Sequence, residues 1–91
     1  MFAAFVLIQA EPRRIAELAA ELAEVDGVAE VYSTAGDADV VAVVRVRHHE
    51  DLADVVTHRI ACLDGILDTR TLVAFRAYGR RDVAAMWDLG D

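Results

Sequence analysis

The chain has no lysine: all nine of its basic residues are arginine, set against sixteen acids for a formal net charge of -7 over 91 residues. Such a surface repels phosphate backbones at long range and has no basic patch to release counterions, so direct nucleic-acid binding is not expected. Cysteine occurs once. A lone Cys62 excludes an intrachain disulfide and suits a reducing compartment, and its neighbours Ile60, Ala61 and Leu63 predict a buried structural thiol rather than a nucleophile. No apolar run is long enough to span a bilayer, so no membrane partner is expected. The apolar stretch from Phe2 to Ala10 has no positive region before it and runs into a proline and charged residues, which predicts a strand rather than a signal peptide. Cytoplasm is the expected compartment. The five glycines stand singly at element boundaries, which excludes a phosphate-cradling loop.

What the chain does have is apolar surface in excess. Ninety-one residues make one domain, which buries only about 60–65% of the surface its unfolded form exposes. Yet 56% of residues are hydrophobic, and the surplus predicts self-association.

The periodicities alternate between two and three-to-four residues. Phe2 to Gln9 predicts a strand. Glu11-Pro12 then opens a helix, where the missing proline amide costs nothing. Ile15, Leu18, Ala19, Leu22 and Val25 form its stripe, and Gly27 ends it. Val28 to Thr34 and Asp39 to Arg47 predict two more strands; in the latter, Val40, Ala42, Val44 and Val46 share one face, and Val41, Val43, Arg45 and Arg47 the other. His49-Glu50-Asp51 opens a second helix with Leu52, Val55, Val56, Ile60 and Leu63 as its stripe and Gly65 near its end. A last strand, Ile66 to Tyr78, places Leu67, Thr69, Thr71, Val73 and Phe75 on one face.

This order predicts an α+β, ferredoxin-like βαββαβ plait: an antiparallel four-stranded sheet with two helices on one face, over residues 1–79. Residues 80–91 form a tail in which Val83, Met86 and Trp87 have helical spacing; a short C-terminal helix and a loosely packed tail both remain open. The second sheet face is left bare. Covering Val41, Val43, Val73 and Phe75 is worth roughly 1.5–3 kcal/mol for each side chain fully buried, so a homodimer joined sheet to sheet is expected.

Catalytic chemistry is thinly represented. His48 and His49 are adjacent and point apart, and neither CxxC nor HxxxH spacing supports a metal site with His58. No metal or other cofactor is expected. His58 and Cys62 are four apart on a helix, but the cysteine falls on the stripe expected to be buried. The most distinctive segment is Tyr32-Ser33-Thr34-Ala35-Gly36-Asp37-Ala38-Asp39, a glycine and two carboxylates between valine-rich strands. Asp37 and Asp39 beside Gly36 suit holding an ammonium group better than moving protons. No catalytic residue is assigned.

Val28 to Asp39, with its valine, hydrophobic-tyrosine, glycine and aspartate pattern, and Gly65-Ile66-Leu67-Asp68-Thr69-Arg70-Thr71-Leu72-Val73, with a Thr-x-Thr strand, resemble the effector-binding (RAM) domain of the leucine-responsive and asparagine regulators, the Lrp/AsnC family. The similarity covers residues 3–78. It implies dimers joined through their sheets, often rings of dimers, and a small effector, commonly an amino acid, held between dimers. Carried over, Gly36, Asp37 and Asp39 are the loop side of that site, and Thr69 and Thr71 offer hydroxyls. On this resemblance the family's N-terminal helix-turn-helix is expected to be absent, since the sequence opens on the first strand, and a stand-alone RAM protein is the expected form.

The expected function is therefore a non-enzymatic module that senses a metabolite and modulates transcription by assembling with itself or with a full-length Lrp/AsnC regulator. A small dimeric ferredoxin-like enzyme of monooxygenase or isomerase type is the alternative, as is a purely structural oligomerisation or ACT-like domain. On this reading Asp39→Ala weakens effector binding with little effect on melting, and Val43→Asp breaks the dimer.

Overall fold

Valine at five of seven positions commits residues 40–46 to extended backbone, and in the computed structural model, which describes residues 1–80, they form a central strand. The elements run β1 (Phe2–Ala10), α1 (Ile15–Ala23, entered through a 3-10 turn at Pro12–Arg14), β2 (Val28–Ser33), β3 (Val40–Val46), α2 (His49–Asp54) and β4 (Ile66–Val73). The sheet is antiparallel in order β2-β3-β1-β4, the α+β ferredoxin-like arrangement. No described helix is long and apolar enough to cross a membrane. The helix expected around Val83, Met86 and Trp87 lies outside the described residues.

Ala4, Val6 and Ile8 of β1, with Val40, Ala42 and Val44 of β3, face the helices and meet Leu18, Leu22, Leu52, Val55 and Ile60. The opposite sheet face carries Ala3, Phe5 and Leu7 of β1 and Val41 and Val43 of β3, and among the described residues no helix lies over it.

The second helix departs from the expected α-helix. After Asp54 it widens into a π-helix over Val55–Ile60. The reason is local: Val55 and Ile60 are five apart and both fully buried, a spacing that matches the wider turn. The Thr57 hydroxyl donates to the Ala53 carbonyl at 2.6 Å, a back-bond that loosens a helical ladder. Past this turn the stripe is displaced, and Cys62 is exposed rather than buried, its thiol 3.4 Å from the Arg59 carbonyl.

β4 corrects two expectations. Its register places Val73 opposite Ala4 and Thr71 opposite Val6, so Val73 faces the helices; the bare face receives Leu72, opposite Phe5. Phe75 lies beyond the strand and is 99% exposed. The strand ends at Val73, and beyond it one further link joins the two stretches of backbone, from the Ala74 amide to the Ala3 carbonyl at 2.9 Å. At the other end a bulge at Leu67 breaks the alternation, leaving that side chain 64% exposed.

Candidate functional site

The loop between β2 and β3 is built by hydrogen bonds that converge on its two ends. The Thr34 amide donates to the Asp39 carbonyl at 2.9 Å, and the Thr34 hydroxyl to the Ala38 carbonyl at 2.8 Å. From β1, the Gln9 side-chain amide donates to the Asp37 carbonyl at 3.2 Å, while Asp39 donates its amide to the Ile8 carbonyl at 2.9 Å. The Asp39 carboxylate accepts the Ala10 amide at 2.9 Å. Gly36 at the tip has φ of +113°, a conformation that strains any residue with a side chain. These bonds hold the ends and leave the tip open: among the described residues, no group accepts a hydrogen bond from the amides of Ala35, Gly36 or Asp37, all three exposed.

Asp37 and Asp39 thus have different surroundings. Asp37 is exposed at the tip, whereas Asp39 is half-buried and ties the loop to β1. The expectation that Asp39→Ala leaves melting untouched does not survive this geometry. Removing a carboxylate that accepts a half-buried amide is expected to cost about 1.5–3 kcal/mol, and Asp39→Asn to recover part of it. Equal denaturation midpoints for Asp39→Ala and wild type would show that the clamp contributes nothing.

Thr69 and Thr71 are not brought to this loop within one protomer. Thr69 pairs with Ile8, which pairs in turn with Val40, so it stands two strands from the loop, roughly 10 Å across the sheet. Thr71 instead lines an apolar groove of about 240 Å³ between α2 and β4, together with Leu52, Ala53, Val56 and Val73. His49 is also in that groove and stacks edge-on against Phe2, with ring centroids 5.5 Å apart. Among the described residues no group of three His, Cys, Asp or Glu side chains is placed to hold a metal ion.

The bare sheet face has an apolar centre and polar margins. Val43 is only 6% exposed in the protomer itself, flanked in register by Phe5 and Glu30, so it belongs to the protomer as much as to any interface. Phe5 (39% exposed) and Leu72 (57%) are the accessible apolar groups.

On the β2 margin lies a polar cluster absent from the expectations above. A register shift between Val28 and Glu30 sets Glu30 opposite Val43 on this face. Its carboxylate accepts the Tyr32 hydroxyl and pairs with the Arg45 guanidinium at 3.0 Å. The Glu30–Tyr32 spacing of two along a strand was the available signal. The Tyr32 hydrogen bond, then Arg45, holds the Glu30 carboxyl below its usual range, and the same bond to Glu30 raises the Tyr32 phenol above its own.

The contribution of Glu30 to stability is present above the unfolded carboxylate pKa and fades as pH falls through the lowered native one. That of Tyr32 is present below the unfolded phenol pKa of about 10 and fades as pH rises through the raised native one. Glu30→Gln is expected to shift the Tyr32 absorbance titration to lower pH, with Tyr32→Phe assigning the transition. An unmoved midpoint would show that the bond does not form in solution.

The ferredoxin-like plait hosts many unrelated activities, so the fold alone does not name a family. The sequence does: the model of the Lrp/AsnC ligand binding domain matches residues 3–84, and the chain belongs to that family. The HTH-type transcriptional regulator LrpA of Pyrococcus horikoshii is 36% identical over 59 residues, 65% of this chain and 42% of that protein. The chain spans about half the length of the curated relatives it matches, or somewhat less. Among solved structures, TTHA0845 from Thermus thermophilus has a TM-score of 0.82 at 50% identity, covering 88% of this chain and 100% of that one. The feast or famine regulatory protein from M. tuberculosis, complexed with L-methionine, has a TM-score of 0.72 at 28% identity, covering 90% of this chain and 56% of that one.

Proposed function

We propose that this chain is a non-enzymatic sensing and oligomerisation module of the cytoplasm. It binds an amino acid between dimers and modulates transcription by assembling with itself or with a full-length Lrp/AsnC regulator, without contacting DNA itself. The observation that carries this reading is the loop tip, where three exposed amides stand beside the Asp37 carboxylate on a frame fixed by Gln9, Thr34 and Asp39. A zwitterion needs donors for its carboxylate and an acceptor for its ammonium, and the tip supplies both. The related M. tuberculosis protein complexed with L-methionine supports an amino acid as the ligand class. Thr69 and Thr71 take part, on this reading, only from a neighbouring protomer. The enzyme alternative loses support from the buried core between sheet and helices, which among the described residues is aliphatic and holds no polar or charged side chain.

Calorimetric titration against the twenty amino acids tests the proposal. Asp37→Ala is expected to weaken the bound ligand by about 1.5–3 kcal/mol with unchanged melting, since the Asp37 side chain makes no fold contact among the described residues. Unchanged affinity would move the site elsewhere. Binding of no amino acid by the wild type would favour the purely structural oligomerisation domain, for which the bare apolar sheet face is sufficient.

A further inference from the structure

The outer edge of β4 carries a charge pattern that complements itself. The Ala74 amide donates to the Ala3 carbonyl, so every second residue before it, Leu72, Arg70 and Asp68, turns its backbone groups toward β1 in the same way. The amides and carbonyls of Thr69 and Thr71 therefore point outward, to the end of the sheet, where no strand pairs with them among the described residues. Asp68 and Arg70 flank Thr69. Both are exposed, and neither makes a hydrogen bond or ion pair among the described residues.

Such an edge is a template for another strand, and the charges decide which one fits. Two copies of β4 laid antiparallel about a two-fold axis must bring their outward backbone groups together, which requires the axis to pass through a residue. An axis at Asp68 or at Arg70 sets like charges directly opposite, and an axis at Thr71 sets Arg70 opposite Leu72. An axis at Thr69 sets Asp68 of each copy opposite Arg70 of the other. Those two pairs are of the type with the closer side-chain approach, Cα atoms about 4.5 Å apart, while Thr69 meets its own copy and exchanges two backbone hydrogen bonds with it.

We propose that the outer edge of β4 is a pairing site for β4 of a second copy of this chain, centred on Thr69, with the two Asp68–Arg70 ion pairs fixing the register. The product is one continuous antiparallel sheet of eight strands. Its two bare faces lie on the same side and stay open, so this contact is separate from the face-to-face one, and both fit in one assembly. A single strand pair with exposed ion pairs is the weaker contact, so it joins copies at concentrations well above those at which the sheet faces pair. The loop tip at Gly36 takes no part, and the edge contact forms whether or not an effector binds there.

Disulfide trapping reads the register directly. In the full chain with Cys62→Ser, which removes the single native thiol, Thr69→Cys puts two cysteines on residues whose Cα atoms stand about 5.5 Å apart, within disulfide reach, whereas Thr71→Cys leaves them roughly 14 Å apart. With copper phenanthroline as oxidant and the protein at millimolar concentration, Thr69→Cys is expected to give covalent dimers at about tenfold the yield of Thr71→Cys or more. Adding Asp68→Arg or Arg70→Asp to Thr69→Cys sets like charges opposite and is expected to cut the yield about tenfold, and mixing those two chains restores opposite charges and the yield with them. Equal yields at positions 69 and 71, a yield indifferent to either charge reversal, no recovery in the mixture, or absence of covalent dimers would each overturn the proposal. Where Thr69→Cys fails to fold, sedimentation of the two charge-reversed chains at the same concentration, singly and mixed, decides by whether only the mixture assembles as the wild type does.

Discussion

The wild-type chain is expected to sediment as a dimer at micromolar concentration, and Leu72→Glu as a folded monomer. Leu72 is 57% exposed on the bare sheet face, opposite Phe5, so the protomer loses little when it becomes polar. In a sheet-to-sheet dimer the same carboxylate is buried without a partner, which costs several kcal/mol and weakens association by two orders of magnitude or more. Val43→Asp, by contrast, is a poor probe. At 6% exposure its charge is buried before any partner arrives, and unfolding of the protomer masks the effect on association. Sedimentation of wild type and Leu72→Glu, with circular dichroism to confirm the fold, checks the prediction. A monomeric wild type, or a Leu72→Glu chain that dimerises as tightly, would rule out the sheet face as the interface.

Gly27→Ala is expected to be the most damaging single methyl in the chain. Gly27 has φ of +98°, and a Cβ there would stand 2.6 Å from Cγ2 of Val55, a side chain 1% exposed. The left-handed backbone costs about 1–2 kcal/mol for a residue with a Cβ, and overpacking against a core valine a further 1–3. The sum, about 2–5 kcal/mol, corresponds to a fall in melting temperature of roughly 10–30 °C for a domain of this size. Gly36→Ala is the internal control, since it shares the positive φ but nothing lies within 4 Å of its Cβ, leaving only the backbone cost. Val55→Ala in the Gly27→Ala background should recover the steric part. Equal losses for Gly27→Ala and Gly36→Ala, measured at one protein concentration, would show that the contact with Val55 relaxes freely.

The strand and helix order was legible because alternation and helical spacing are local. The helix breaks at Gly27 and Gly65 were legible for the same reason. Periodicity shows which residues share a face but not which way that face looks. Thr69, Thr71 and Val73 do lie together, yet β4 is polar on both sides, and only pairing with Ala4 and Val6 turns them toward the helices. The bulge at Leu67 and the widened turn after Asp54 each change the count within an element, where the alternation carries no mark of it. The role of Asp39 was illegible for another reason. Its carboxylate meets the Ala10 amide, 29 residues away, and no local pattern records a contact of that range.

The π-helical turn has a consequence for chain length. Val55 and Ile60 reach the core five residues apart, where an ordinary helix needs only four. One residue of this stretch is therefore surplus to the core. Deleting Thr57, whose hydroxyl bonds back to Ala53, leaves Leu52, Val55 and Ile60 at the three- and four-residue spacing of a regular helix. The same deletion in β3 turns every valine beyond it to the opposite side of the sheet. The chain thus combines a helix with one residue to spare and a central strand with none.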